Sequence, residues 1–221
     1  RRVFVSQGVQ TAATLKIDTG PVTHDFELGA RLHADSIRRL HSQLAFDTRE
    51  GKLVADTAGP FSVLNNLDSS LAFAAYLNDT ISWGHLLVSP GVRLESISVS
   101  SRDVDSGAVI TGGSIVPLLG VGAVYTFSPG VSLLGGVHQG FSPVNPGQDA
   151  SVRPEQAINS ELGVRLSGKG LRLETIGFWS EYSNITGECT GSTGCVGGEL
   201  NRQFNGGRAR VLGAEVLAGA K

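Results

Sequence analysis

The sequence predicts an all-β protein, an antiparallel up-and-down transmembrane β-barrel, with about nine strands in its 221 residues. Three observations predict it. Apolar and polar residues alternate with a period of two through one segment after another, giving each strand one oily and one polar face. The connections alternate between tight turns and long polar stretches, and a soluble sandwich has no reason to gather its long connections at one end. The polar faces are ionisable to a degree that no dry core tolerates. Leu86–Val99, LLVSPGVRLESISV, shows the problem in miniature: Leu86, Val88, Pro90, Val92 and Leu94 fall on one face, Ser89, Gly91, Arg93 and Glu95 on the other. Such a strand needs two solvents, either core and water, as in a soluble sandwich, or lipid and a polar lumen.

Composition narrows the classes. Hydrophobic residues make up 40% and charged residues 17%, with 30 glycines and no methionine, which argues against charge-driven disorder and against a helical bundle. The net charge of -2 leaves no basic stripe, so nucleic acid is excluded as a partner. Residues 106–148 lack Asp, Glu, Lys and Arg and could pass for membrane helices. Gly112-Gly113, Pro117, Gly120, Gly122, Pro129-Gly130, Gly135-Gly136 and Pro143 punctuate them too densely for helix, so strands are expected. Arg1–Val5 is charged without the apolar run of a leader, so an exported protein would not have its native N-terminus here.

In chain order, Val9, Thr11, Ala13, Leu15 and Ile17 alternate with Gln10, Thr14 and Lys16, and Asp18-Thr19-Gly20-Pro21 makes a reversal. In the segment from His24 to Ile37, Phe26, Leu28, Ala30, Leu32 and Ala34 oppose Asp25, Glu27, Arg31, His33 and Asp35, so the second face must be wet. Residues 38–68 read as a long irregular connection. A strand follows over 71–83, where Asp79 breaks an otherwise apolar row, and Gly84-His85 turns into Leu86. Residues 100–113 read as a second long connection. Ile115–Phe127 alternates, Ser128-Pro129-Gly130 turns, and Val131–Phe141 returns. A third long stretch covers 142–156. Ile158, Ser160, Leu162, Val164 and Leu166 then oppose Asn159, Glu161, Gly163 and Arg165, and Ser167-Gly168-Lys169-Gly170 turns into a strand over 171–182. Residues 183–207 form a fourth long connection. In the last strand, 208–218, Arg208 and Arg210 share parity with Val216, which predicts a bulge near Gly213. Trp83, Tyr125, Phe127, Phe141, Trp179 and Tyr182 lie near strand ends, where an aromatic girdle belongs.

Cys189 and Cys195 stand in CTGSTGC. A local disulfide in an oxidising compartment fits, and two reduced thiols are the alternative. Zinc would need two further ligands, and the loop offers none. His24, His33 and His41, the last in a long connection, show no ligand-like spacing to a carboxylate, so no metal site and no cofactor are expected. No Gly-x-Ser-x-Gly elbow or comparable nucleophile setting occurs, which argues against an enzyme. Arg31, Arg93 and Arg165 are expected to pair with Glu27, Glu95 and Glu161 along a lumen wall.

Several segments together resemble the TonB-dependent outer-membrane receptors, in particular the branch that includes ferric dicitrate receptors. They are Ser89–Glu95, Pro154–Arg165, Gly177–Asn184, the Cys189–Cys195 loop, and Asn205-Gly206-Gly207 leading to Gly213-Ala214-Glu215, in that order and spacing. The resemblance implies a barrel of 22 strands closed around a plug. Residues 1–221 are then expected to be a partial barrel domain, without the plug and the remaining strands. It implies an outer-membrane receptor for energy-coupled uptake of a ferric chelate such as ferric citrate or another siderophore, with a TonB-type coupling protein acting through the plug, and outer-membrane lipid and lipopolysaccharide around the wall. An anionic chelate calls for arginines, and Arg102, Arg153, Arg202 and Arg208, in or beside the long connections, are the candidates. The alternatives are solvated loop charges or lipopolysaccharide contacts for these arginines, and, for the whole chain, a passive porin or adhesin-type barrel or a soluble β-sandwich binding module.

Overall fold

The computed structural model describes residues 1–56, 58–168, 170–195 and 202–220. Nine long strands form a single antiparallel sheet. They are β1 (Arg2–Thr19), β2 (Val22–Gln43), β5 (Phe61–Trp83), β6 (Leu86–Asp103), β7 (Val109–Ser128), β8 (Val131–Ser142), β9 (Glu155–Gly168), β10 (Leu171–Glu188) and β11 (Gln203–Ala220), hydrogen-bonded to one another in chain order. A separate exposed hairpin, β3 (Phe46–Arg49) and β4 (Lys52–Ala55), decorates the connection between β2 and β5.

At one end of the sheet the strands are joined by two-residue turns, in which Gly20, Gly84, Gly130 and Gly170 take positive φ. Lys169, within the last of these turns, lies outside the described residues. The other end carries the connections 44–60, 104–108, 143–154 and 189–202. Residues 196–201 of the last also lie outside the described residues.

Two of the expected long connections are shorter than the sequence suggested. β2 runs on to Gln43 and β5 starts at Phe61, so much of 38–68 is strand; β6 and β7 likewise absorb most of 100–113, leaving a five-residue turn. The reason is physical. Crossing a bilayer takes about 9–11 tilted residues, and β5 alone has 23. The surplus stands beyond the apolar band with polar surroundings on both faces, so its sequence loses the two-fold alternation while its backbone keeps pairing.

Register assigns the faces. The outer rows carry, for example, Leu71, Phe73, Ala75, Leu77, Ile81 and Trp83 on β5, beside Leu28, Ala30 and Leu32 on β2. The thirteen residues from Leu71 to Trp83 rise about 28 Å at roughly 3.3 Å per residue and a tilt near 45°, close to the ~25 Å apolar band of a membrane barrel. Just above that band one rung runs Ser36, Ser69, Ser100, Thr111 across four strands, all hydroxyls and all outward. Trp83, Tyr125 and Phe127 ring the short-turn end of the outer face, and Tyr125 and Phe127 meet edge-on at 4.8 Å. Phe141 and Trp179 mark the other border. Tyr182 is a correction to the expected girdle, because it shares its row with Phe178 and Glu174 on the inner face.

The last strand also differs from expectation. The β10–β11 ladder is continuous through Gly213, and its irregularities fall between Ser183 and Thr186 instead. Gly213 is opposite Phe178, whose ring lies where a Cβ would stand. The apparent phase change is a change of solvent along one outer row. Leu212 and Val216 lie in the apolar band, while Arg210 lies beyond it, paired to Glu181 at 2.8 Å and stacked 5.1 Å over Trp179.

Asp79, the residue that broke the apolar row of β5, has its answer across the sheet. His24 Nδ1 lies 2.7 Å from Asp79 Oδ2 on the outer face. Its neighbour on the other side is Pro90, which has no N–H to give, and the β5–β6 ladder skips that rung.

A fork opens between β7 and β8. Their ladder ends at Gly120 and His138, although β7 continues up to Val109 and β8 to Ser142. At the apex Leu119 N–H donates to the side-chain Oε1 of Gln139 at 2.9 Å, where a backbone carbonyl would ordinarily accept. Two residues on, Pro117 has no N–H to offer, which suits an unpaired edge.

Candidate ligand-facing mouth

The inner face is a wall of charge. Arg93 and Glu95 pair at 2.5 Å, as their two-residue spacing suggested. Arg165 departs from expectation: it pairs with Glu174 of β10 at 2.7 Å, not with Glu161, and Arg172 joins the same carboxylate at 3.2 Å. Glu27 accepts a hydrogen bond from the Tyr76 hydroxyl at 2.6 Å rather than an ion pair from Arg31. Cross-strand partners depend on register, and spacing along one strand cannot reveal it. Midway along the wall the side chains thin out, with Gly91 opposite Gly120 and Gly122 opposite Gly136. A recess of about 660 Å³ results, bounded by Arg93, His138, Glu161 and Arg165.

Nearer the long-connection end, Asp68 is almost fully buried, 3% exposed, and takes a hydrogen bond from the Ser101 hydroxyl at 2.5 Å and an ion pair from Arg39. Over this cluster lies the connection 143–154, whose Gly147 packs on Ser101 so closely that a Cβ there would sit 3.0 Å from the serine Cβ. A cavity of about 390 Å³ is enclosed by Arg39 and Asp68 on one side, Asn145 and Gln148 above, and Glu188 and Gln203 on the other. For β2, β5 and the β10–β11 end to bound one cavity, the sheet must curl.

The connection 143–154 is fastened to the start of β11, where the 189–202 connection ends. Gln203 N–H donates to Gln148 Oε1 at 2.7 Å, and Asn145 N–H donates to Gln203 Oε1 at 3.3 Å. Arg153 N–H donates to Asn205 Oδ1, and Asn205 Nδ2 donates back to the Arg153 carbonyl, each at 2.9 Å. Glu155 Oε1 accepts both the N–H and the hydroxyl of Thr186 at 2.7 Å, which hold the Glu155 carboxyl below the ordinary carboxylate range. Asp149 is also held low, first by the N–H of Ser151, then by its hydroxyl, with a smaller contribution from the Arg202 charge. Cys189 and Cys195 are joined as a disulfide, Cα atoms 5.6 Å apart, around a single 3₁₀ turn at Gly191–Thr193. Cys189 N–H donates to the Arg202 carbonyl at 2.8 Å, tying that loop to the foot of β11.

Of the four candidate arginines, the fold brings two into one assembly. Arg153 is exposed on the connection fastened to β11, and Arg202 is exposed immediately before β11 begins. Arg102, next to Ser101 but of opposite parity, lies in the outer row of β6 with Ser96, Ser98 and Ser100. Arg208, opposite Ser183, lies in the outer row of β11 with Arg210. The sequence signal that missed this was parity, which is legible only once each strand's inner row is fixed. The histidines also need correction: His24 and His33 both pair with carboxylates, Asp79 at 2.7 Å and Asp35 at 3.1 Å, and His41 belongs to β2, not to a loop. Among the described residues no group of three or more His, Cys, Asp or Glu could hold a metal ion.

Residues 4–221 match the family model described as TonB dependent receptor-like, beta-barrel. The chain belongs to this family. Solved structures of similar fold include the ferric citrate transporter FecA in its unliganded form, with 23% identity and a TM-score of 0.81 over 98% of this chain and 32% of that one. The siderophore receptor PiuA from Acinetobacter baumannii matches at 17% identity and a TM-score of 0.74, over 100% of this chain and 36% of that one. The alcaligin outer-membrane receptor FauA from Bordetella pertussis matches at 16% identity and 0.71, with the same shares. The chain thus spans about a third of the length of these structures. As a TonB-dependent receptor barrel, its nine-stranded sheet is a stretch of transmembrane wall whose outer rows face lipid and whose inner rows face the lumen. In that frame the two-residue turns correspond to the periplasmic end, and the long connections to the extracellular mouth.

Proposed function

We propose that the receptor to which this wall belongs takes up an anionic ferric chelate, ferric citrate or another siderophore, across the bacterial outer membrane. It performs no covalent chemistry. Arg153 and Arg202 at the mouth capture the chelate's carboxylates or comparable anionic groups, for which the planar guanidinium fork is suited. Arg102 and Arg208, on outer rows above the lipid, contact lipopolysaccharide phosphates. Energy coupling enters through a plug domain, which we assign outside residues 1–221, acted on by a TonB-type protein. The observation that carries this reading is the fastening of the 143–154 connection to the start of β11, which brings the backbones of two exposed arginines, Arg153 and Arg202, together over a charged lumen. The similar structures, a ferric citrate transporter, a siderophore receptor and an alcaligin receptor, support the ligand class.

The test is uptake of radioactive iron by cells carrying the complete gene, supplied as ferric citrate and, in parallel, as other chelates. Deletion is expected to abolish uptake of one chelate, a protonophore to stop it, and R153A/R202A to raise its KM at least tenfold. Uptake that survives the protonophore would point to the passive barrel instead.

A further inference from the structure

Three of the segments that carried the family resemblance, at Pro154-Glu155, Ser183-Asn184 and Asn205-Gly206-Gly207, stand far apart in the chain and meet at one point of the rim. The β10–β11 ladder is irregular here on both sides of Ile185, and Asn184 takes a φ of +55, a left-handed conformation in which asparagine is one of the few comfortable side chains. The Asn184 carbonyl thereby accepts from Asn205 Nδ2 at 2.9 Å, and its own side chain donates to the Pro154 carbonyl at 3.5 Å. Asn205 saturates its amide. Its oxygen accepts from Arg153 N–H, and its nitrogen donates to the carbonyls of Arg153 and Asn184. One side chain therefore ties the foot of the 143–154 connection, the bulge of β10 and the start of β11. Three residues before Asn205, at the end of the 189–202 connection, is Arg202, whose carbonyl is taken by Cys189.

We propose that Asn205 is a positioning residue: by knotting these three segments it makes the loops bearing Arg153 and Arg202 one rigid unit, so that both guanidinium groups are presented to the ligand at a fixed separation. The role in ligand capture rests on the function proposed above; the rigid coupling does not. Asn205 touches no ligand in this scheme and acts through the backbones it holds. Alanine removes all three hydrogen bonds. Aspartate keeps the shape but can donate none, and it sets a carboxylate against two carbonyls.

The experiment uses the complete receptor in native outer membranes, with spin labels at S151C and S192C, one on each connection, and electron-resonance distance measurement between them. The parent is expected to give one narrow distance distribution that ferric citrate leaves in place. N205A and N205D are expected to broaden it at least twofold while the barrel keeps its heat-modifiable migration. In the same strains KM for ferric citrate uptake is expected to rise about tenfold with the maximal rate kept. A broad distribution in the parent, or an unchanged one in both variants, overturns the proposal. Broadening in a receptor that takes up no ferric citrate in any form supports the knot and counts against the citrate assignment alone. Should N205A fail to assemble, N205D carries the same comparison.

Discussion

Replacing His24 by leucine leaves Asp79 as a lone carboxylate on a wall that faces lipid. The pair is tight, 2.7 Å between Nδ1 and Oδ2, with side-chain exposures of 26% and 14%, and Asp79 Oδ1 already lacks a partner. Asp79 is four residues from the girdle residue Trp83, so it lies roughly 9 Å inside the apolar band at ~3.3 Å per residue and a ~45° tilt. A charge on the lipid face costs about 2–4 kcal/mol at the midplane for a basic residue, less for an acid, and nearly nothing at the border. At this depth about 1 kcal/mol is expected for the stranded carboxylate, and roughly another 2 kcal/mol for the lost hydrogen bond to a charged group. H24L should therefore cost about 3 kcal/mol, roughly a hundredfold or greater fall in the folded-to-unfolded ratio. The double variant H24L/D79L puts two alkyl chains against lipid and should recover all of that or exceed the parent, since an apolar replacement of both partners of a desolvated pair is commonly neutral or better. Denaturant unfolding of the complete receptor in lipid vesicles, read by tryptophan fluorescence, measures all the variants. If the double variant is less stable than H24L, these outer rows do not face hydrocarbon.

Three further outcomes follow from single contacts. G130A adds a Cβ onto the Ser167 carbonyl at a position with φ +90, so it should cost about 3 kcal/mol and lower the fraction of heat-modifiable barrel, whereas G84A, with open space around it and φ +55, should cost about 1 kcal/mol. Q139L leaves Leu119 N–H without its acceptor at the fork apex, which should cost about 1 kcal/mol and speed amide exchange at Leu119 while Val121 is unaffected. E155Q tests the pH dependence of the rim. The folded carboxyl titrates below its ordinary range, so its contribution is present above the unfolded value and drains away as pH falls through the folded one. Exchange at the Thr186 amide, corrected for the intrinsic rate, should accelerate in the parent below about pH 4.5 and change far less in E155Q.

The strands that cross the bilayer were legible because their two faces meet different solvents, as the rows of β2 and β9 show. Where both faces meet polar surroundings that contrast disappears, which is why Arg38–Gln43 and Phe61–Asp68 read as loop and fold as strand. Partners across strands were illegible for a different reason. Arg165 finds Glu174 and His24 finds Asp79 because the pairing of β9 with β10 and of β2 with β5 sets the register, and no local spacing encodes it. Gly213 misled because a glycine serves a bulge and a close-packed ring equally well, and here Phe178 decides. Parity alone could have separated Arg102 from the loop arginines had β6 been extended past Val99.

The rung of Ser36, Ser69, Ser100 and Thr111 has a mechanical consequence. A collar of uncharged hydroxyls bonds to sugars, phosphates or water alike, so at this rung the wall is held at its waterline by the step from methyl groups to oxygen, with ion contacts left to the arginines above it. Its depth in the membrane should then drift little when magnesium is stripped or salt is raised, and the mouth above should keep its distance from the lipid through those changes.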